Sequence, residues 1–316
     1  MPAAKPPLFI VFNVGAGDSD ATETRVAIER ACAEAGRELN LMVVDDPSRI
    51  GDLAREAVHR AKQVNGIVVA AGGDGTINAV AQAALGSGCA FGVLPNGTFN
   101  YFSRTHGIPA GTGAGMQVLL QESAQPVQVG LVNNHLFLVN ASVGLYPKLL
   151  EDREAWKQQL GRRRWVAFSS ALATLLRGYR TLHLNMEVHG KRQDIRTPSL
   201  FVGNNALQME QLGLTESHAI DAGQLAAITL RPIGRLAMIG LIFQAVLGRL
   251  GDADQVEKFT FKQLTVTRSR RFTARRVKVA TDGEIKWLTL PLQFCVSPEP
   301  LMLLRPAGPA PERAPD

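Results

Sequence analysis

The sequence predicts an α/β domain built on a parallel sheet, followed by a β-rich domain, and three observations carry that prediction. Up to about residue 127, short apolar runs alternate with helical patterns through short loops. The runs at 8–12, 67–71 and 90–94 each end in a turn rich in Gly, Asn, Asp or Thr. Beyond that point apolar and polar residues alternate, as in Leu182-His183-Leu184-Asn185-Met186-Glu187-Val188.

The first run, 8–12, is apolar throughout, as a strand buried on both faces must be. It leads into Asn13-Val14-Gly15-Ala16-Gly17-Asp18, where Gly15 and Gly17 form a candidate phosphate turn. A helix over 19–35 follows, with Val26, Ile28 and Ala31 among its apolar positions and Gly36 as its C-terminal cap. A second strand covers 39–44 and a second helix 50–61. Gly66 introduces the third strand, and a fourth at 90–94 stops at Pro95-Asn96-Gly97-Thr98. Such alternation specifies right-handed crossovers, with ligands beyond the carboxyl ends of the strands.

The most informative stretch joins the third strand to its helix: Gly72-Gly73-Asp74-Gly75-Thr76, then Ile77-Asn78-Ala79-Val80. Three glycines in four positions let the backbone turn sharply and approach a bulky anion, because no Cβ stands in the way. Amides at the start of the next helix, with its dipole, favour a phosphate. Asp74 puts a carboxylate beside that anion, which makes chemical sense when a cation or a hydroxyl lies between them. The plainer alternative is a glycine-rich turn capped by Thr76. Three such turns at one sheet edge argue for the ligand.

The formal charge of +6 and pI near 9.5 suit anionic partners: nucleotides, anionic headgroups or nucleic acid. Cys32, Cys89 and Cys295 are far apart and odd in number, which predicts free thiols in a reducing compartment. The first seven residues carry one lysine and three prolines and lack a secretory pattern. The longest apolar stretch, 236–247, contains Gln244 and is too short to span a bilayer. The expectation is a soluble, cytoplasmic protein, with at most peripheral contact at the inner face of the membrane.

In the second half, strands are expected at 129–132, 135–140, 182–188, 199–203, 223–230, 263–268, 276–280 and 290–296, with helical stretches near 147–180 and 231–249. The domain limits read as 6–127, 128–296 and a disordered tail at 306–316, which holds four prolines. Asp282-Gly283 with Glu284 places two carboxylates around a glycine. A hairpin turn explains Asp-Gly equally well. The functional alternative makes one carboxylate a base for a hydroxyl while the other orients it or reaches a metal.

At this point the chain resembles the diacylglycerol kinase catalytic-domain family, in the bacterial lipid-kinase branch related to sphingosine kinases and NAD kinases. Gly72 to Thr76 matches its nucleotide signature. Leu94-Pro-Asn-Gly-Thr-Phe-Asn-Tyr-Phe-Ser-Arg104 with Gly107-Ile-Pro109 resembles its PxGTxNxFAR…GIP stretch, Asn140-Ala-Ser-Val-Gly144 its NxxSxG segment, and Asp282-Gly-Glu284 its DGE. The resemblance implies an α/β nucleotide-binding domain and a β-sandwich domain with the active site in the cleft between them, the first completed by residues 297–305. It implies ATP held by Asn13, Gly15, Gly17, Gly72, Gly73, Asp74, Gly75, Thr76, Asn78, Gly97, Thr98 and Asn100, with Mg2+ served by Asp74. It makes Glu284 or Asp282 the catalytic base, Glu284 being favoured, and a lipid the acceptor.

Departures stand beside these matches. The family's NPxSG is Asn13-Val14-Gly15-Ala16-Gly17, without proline or serine, and its GTGND is Gly97-Thr98-Phe99-Asn100-Tyr101, without the aspartate. A DG pair that binds a structural magnesium in some members reads Asp221-Ala222-Gly223, so that metal stays unknown. Arg162-Arg163-Arg164-Trp165, and the basic run from Arg268 through Arg270, Arg271, Arg275 and Arg276 to Lys278, could meet anionic headgroups or be solvated surface. The apolar stretch 236–247 fits core or an acyl groove. A nucleic-acid partner is not expected, since the basic run has little aromatic interleaving. A homodimer is left open. The alternatives to a lipid kinase are a kinase of a soluble substrate such as NAD, and a non-catalytic nucleotide or anionic-lipid binding protein.

Overall fold

The protein is described from a computed structural model for residues 5–16, 21–97, 99–145, 147, 181–188, 190–214, 216–246, 249–268 and 275–307. The expected helix at 147–180, Arg162 to Trp165, Arg270, Arg271 and most of the tail, 308–316, fall outside these residues. The chain divides into two compact units: residues 1–129 with 297–316, and residues 130–296.

In the first unit, β1 (Leu8–Asn13), β2 (Leu39–Val44), β3 (Ile67–Gly72) and β4 (Ala90–Pro95) are parallel neighbours in the order β2-β1-β3-β4. All six residues of β3 are buried, as its unbroken apolar run requires. Helix α1 (Ala21–Glu34) buries Thr24, Ile28 and Cys32, one turn apart on one face. Val26, one of the apolar positions read from the sequence, is 56% exposed. It lies about 200° around the helix from Ile28 at 100° per residue. Helix α2 (Ile50–Gln63) buries Ala54, Ala57 and Ala61. Helix α3 (Asp74–Ala84) buries Ile77, Val80, Ala81 and Ala84. Two shorter helices follow, α4 (Tyr101–Thr105) and α5 (Thr112–Gln121). A Cβ at Gly92 would stand 2.3 Å from a Leu119 methyl, so α5 packs flat on β4 only because that residue is glycine.

The sheet is completed from the far end of the chain. Strand β18 (Leu301–Leu304) lies between β4, to which it is parallel, and the antiparallel β5 (Ala124–Val127).

The second unit is a sandwich of two six-stranded sheets. One has the order β10-β9-β14-β17-β6-β7 and the other β13-β12-β11-β8-β15-β16, every pairing antiparallel. Between them lie Phe137, Met186, Leu264, Val266, Leu292 and Phe294 from the first sheet, and Val143, Leu200, Val202, Leu225, Phe261 and Val279 from the second. Strands β6 (Gly130–Val132), β8 (Asn140–Gly144), β9 (Leu182–Val188), β11 (Ser199–Gly203), β12 (Leu225–Leu230), β14 (Gln263–Arg268), β15 (Arg276–Thr281) and β17 (Leu292–Val296) fall where alternation places them. The expected strand 135–140 is two strands, β7 (His135–Phe137) and β8. Three strands went unread: β10 (Lys191–Thr197), β13 (Val256–Phe261) and β16 (Glu284–Thr289). Helices α6 (Ala206–Gln211), α7 (Ser217–Asp221) and α8 (Arg235–Val246) belong to a separate apolar cluster, in which Met238 and Leu241 of the 236–247 stretch pack as core. No described helix is long and apolar enough to cross a membrane.

His106, which follows α4, packs edge-on against Phe102 with ring centroids 4.7 Å apart. Burial, with the nearby Arg305 cation, lowers its pKa from 6.5 to about 4. The folded value lies below the unfolded one, so the unfolded chain binds the proton first as the pH falls, and stability drops from pH 6.5 down to about 4. We expect the wild type to lose about 2 kcal/mol across that window, the ring's partial exposure reducing the effect. Urea melts at stepped pH should show the loss, and His106→Gln should flatten it.

Candidate functional site

The signature turn is built from backbone. Strand β3 ends at Gly72, Gly73 caps α3 in an extended conformation, and Asp74 opens the helix. A Cβ on Gly72 would lie 2.7 Å from Thr76 Oγ1, so the strand can meet its helix this closely only as glycine. Thr76 is buried and accepts a hydrogen bond from Asn13 Nδ2 at 3.0 Å. Asn13 Oδ1 in turn accepts from the Gly15 N–H at 3.1 Å. The turn after β4 joins the same edge. Asn96 N–H donates to the Gly72 carbonyl at 2.9 Å, and Asn96 Nδ2 donates to the Ala16 carbonyl at 2.8 Å. The three glycine turns read from the sequence are thus tied into one rim.

Gly97 closes that rim against Gly73. A Cβ at Gly97 would sit 3.1 Å from Gly73 Cα, 3.5 Å from the Asp74 nitrogen and 2.9 Å from Asn100 Oδ1. Asn100 is left-handed, with φ 48°, and both ends of its amide bond Gly97: Oδ1 accepts from the Gly97 N–H at 3.0 Å, and Nδ2 donates to the Gly97 carbonyl at 2.8 Å. The Asn100 backbone N–H is then free to bond the Asp74 carboxylate.

Asp74 is the electrostatic centre of this rim. Its Oδ1 is buried and has no hydrogen-bond partner among the described residues. Burial pushes its pKa above the usual carboxylate value, and the single N–H from Asn100 only partly opposes this. A half-buried, half-satisfied carboxylate at a helix start, ringed by glycine backbone, fits one remaining partner: a cation that also meets an anion. Asn78 is buried one turn into α3, and Gly75 lies in its first turn. Gly17 and Thr98 fall outside the described residues.

A cavity of about 630 Å³ in the same unit lies elsewhere, lined by Arg37, Lys62, Ser87, Cys89 and Glu122 among others. It opens where α1, α2 and α3 end, and cations there complement the carbonyl ends of helices.

In the second unit, Asp282 and Gly283 form the two-residue loop of the β15–β16 hairpin, with Thr281 paired to Glu284. Both loop residues have positive φ, 48° and 88°, the geometry of a type I′ turn. The Asp282 carboxylate points away from the loop. Oδ2 accepts the Leu138 N–H at 2.7 Å, while Oδ1 accepts those of Val139 and Asn140 at 2.9 Å each. Its own N–H returns to the Asn140 carbonyl at 2.9 Å. This accounts for the break in the expected strand 135–140, since three consecutive N–H groups turned to one carboxylate cannot also serve a ladder. Glu284 is different. Its side chain is 53% exposed, and its nearest described charge is Lys286 Nζ at 3.7 Å.

The same corner holds residues that sequence reasoning passed over. Asn204 Nδ2 donates to the Leu138 carbonyl at 3.1 Å, and its N–H donates to the Val139 carbonyl at 2.8 Å. Asn205 caps α6 through the Gln208 N–H, and Gln208 Oε1 accepts from Asn140 Nδ2 at 3.0 Å. An Asn-Asn pair between an apolar run and a helix was the available signal. Ser142, in the NxxSxG-like segment, is wholly buried.

Comparison with known proteins agrees with this geometry. Residues 7–132 match the diacylglycerol kinase catalytic domain model, and residues 152–305 match the YegS C-terminal NAD kinase beta sandwich-like domain model. A Pseudomonas aeruginosa protein named "Probable lipid kinase YegS-like" is 32% identical over 315 residues, covering 95% of this chain and 94% of its own. The chain belongs to the YegS-like lipid kinase family. A Bacillus subtilis diacylglycerol kinase is 32% identical over 146 residues, 44% of this chain and 47% of its own. A crystal structure of a diacylglycerol kinase from Bacillus anthracis shares the fold, with TM-score 0.66 and 19% identity over 95% of this chain and 97% of that one.

Within this family frame the two acidic residues of the hairpin separate by environment. Asp282 is occupied by three donors that hold residues 138–140, while Glu284 faces solvent. Asp282→Ala would strand those N–H groups and should cost roughly 3 kcal/mol. Glu284→Gln should leave stability within about 0.5 kcal/mol of wild type. Urea denaturation of both variants checks this.

Proposed function

We propose that this protein is an ATP-dependent kinase that transfers the γ-phosphoryl group to a hydroxyl of a diacylglycerol-like lipid. The observation that carries the reading is Asp74: a half-buried carboxylate whose enclosed Oδ1 has no partner among the described residues, at a helix N-terminus, beside Gly97, where a Cβ would crowd Asn100 and the Gly73 backbone. The Gly72–Gly73 turn and the α3 amides take the phosphates, and the Asn13–Gly15 turn lies on the same rim. A magnesium ion held by Asp74 and by the nucleotide's own oxygens supplies charge neutralisation when bound.

Glu284 is the base in this reading, because its carboxylate is exposed while that of Asp282 is engaged. The acceptor oxygen attacks the γ-phosphorus, its proton passes to Glu284, and the bond to the β-phosphate oxygen breaks to release ADP. Asp282 positions the hairpin. The lipid acceptor is supported by family membership and by the names of the relatives. Peripheral membrane contact follows from such an acceptor, and the half-exposed Trp287 and basic Arg276 on the β15–β16 hairpin would serve it.

Radiolabelled ATP with magnesium, offered to folded protein with diacylglycerol, sphingosine or NAD, tests the reading. Transfer to diacylglycerol is expected, and label appearing on NAD alone, or on nothing, overturns it. Glu284→Gln should lower the rate at least a hundredfold.

Asp74→Asn should abolish transfer yet raise the melting temperature of nucleotide-free protein at pH 7 by a few degrees. The sign follows from its raised pKa. The folded chain holds the proton to higher pH than the unfolded one, so this group's cost sets in as the pH rises from 3.8 and is complete above the folded value. Calorimetric scans at pH 7 and pH 4 should show the gap between variant and wild type closing at the lower pH.

A further inference from the structure

The turn that closes the rim carries two aromatic residues, Phe99 and Tyr101, on either side of Asn100, in the stretch where the resembled motif has a glycine and an aspartate. Their rings are parallel to within 3°, with centroids 5.9 Å apart. Tyr101 is the inner member, half-buried at the start of α4 and near enough to Asp74 for that carboxylate to help push its phenol pKa up. Phe99 is the outer member and is 51% exposed. The backbone beneath them is fixed, because both ends of the Asn100 amide bond Gly97 and its N–H bonds Asp74. An apolar ring is therefore held against Tyr101 with about half of its surface in water.

We propose that Phe99, backed by Tyr101, is the contact for the hydrocarbon part of the acceptor next to its hydroxyl, and so selects an apolar alcohol. The inference rests on the kinase reading above and deepens it. Three observations choose this occupant. Phe99 is two residues from Gly97, within about 7 Å along the chain, and Gly97 abuts Gly73 and Asp74. That places the ring near the transferred phosphate, whereas the base of a nucleotide is separated from it by ribose and two further phosphates. The acceptor hydroxyl must come within about 3.5 Å of that phosphate to react, so the group that arrives beside Phe99 belongs to the acceptor. Finally, a half-exposed benzyl ring gains from covering by alkyl carbon and offers no hydrogen bond to a sugar or a charged headgroup. The ring's exposure also means that its removal leaves the core of the unit untouched.

The test uses the full chain as wild type, Phe99→Ser, Phe99→Leu and Phe99→Trp, with dioctanoylglycerol in mixed micelles. Phe99→Ser should melt within a degree or two of wild type and raise the KM for dioctanoylglycerol roughly tenfold, with the KM for ATP unchanged. Phe99→Leu should recover most of the loss. A rise in the KM for ATP instead, or no change in either constant, overturns the inference. Fluorescence tests it without turnover. The difference spectrum of Phe99→Trp minus wild type should shift to the blue with dioctanoylglycerol micelles and stay fixed with magnesium ATP or with empty micelles. A shift with ATP alone, or none with the lipid, overturns the inference. A blue shift in a protein that transfers phosphate to no alcohol would uphold the apolar contact while sinking the kinase reading.

Discussion

Contact between two glycine backbones, Gly73 and Gly97, is the constraint on which the rest of the first unit's rim depends. It can form only if β3 and β4 end level with one another, and their pairing of Gly72 with Pro95 does this. It also requires the chain to turn back after Gly97, which Asn100 achieves in a left-handed conformation by bonding Gly97 at both ends. Asp74 is half-buried beside that turn, which supplies its carboxylate with one N–H and leaves Oδ1 enclosed without a partner among the described residues. That enclosure has an energetic cost, because an oxygen taken from water is left without a hydrogen bond in return.

The sandwich unit solves a similar problem with a carboxylate in place of glycine. Asp282 gathers three N–H groups from residues 138–140, and Asn204 takes the carbonyls of Leu138 and Val139. A segment that would otherwise leave the ladder with unpaired backbone is satisfied from both sides. The hairpin that carries Glu284 is thereby anchored to β8, so the exposed carboxylate projects from a fixed base.

Most of the parallel sheet was legible in the sequence because β1, β3 and β4 are buried on both faces and read as continuous apolar runs. The glycine turns were legible for a related reason, since close backbone approach leaves glycine as the residue type that fits. Strand β10, Lys-Arg-Gln-Asp-Ile-Arg-Thr, was not legible: it is an exposed sheet edge that needs almost no apolar face. The division of labour between Asp282 and Glu284 was hidden as well. The partners of Asp282 are backbone N–H groups, which every residue except proline carries and which leave no mark on composition. Val26 misled because an apolar residue inside a helical stretch says nothing of its angle until the helix start is known.

Strand β18 gives the first unit a history as well as a shape. The α/β unit has most of its residues by Val129, yet β5 pairs with β18 alone among the described strands, and β18 ends at Leu304. During synthesis on a ribosome, β4 is therefore made early and waits with an open edge while the whole sandwich, residues 130–296, emerges. Leu301, Leu303 and Leu304, all buried in the finished sheet, are the last pieces to arrive. The sheet of the first unit is thus closed only after the second unit has been made, and a partly made chain presents an unpaired strand edge for that entire interval.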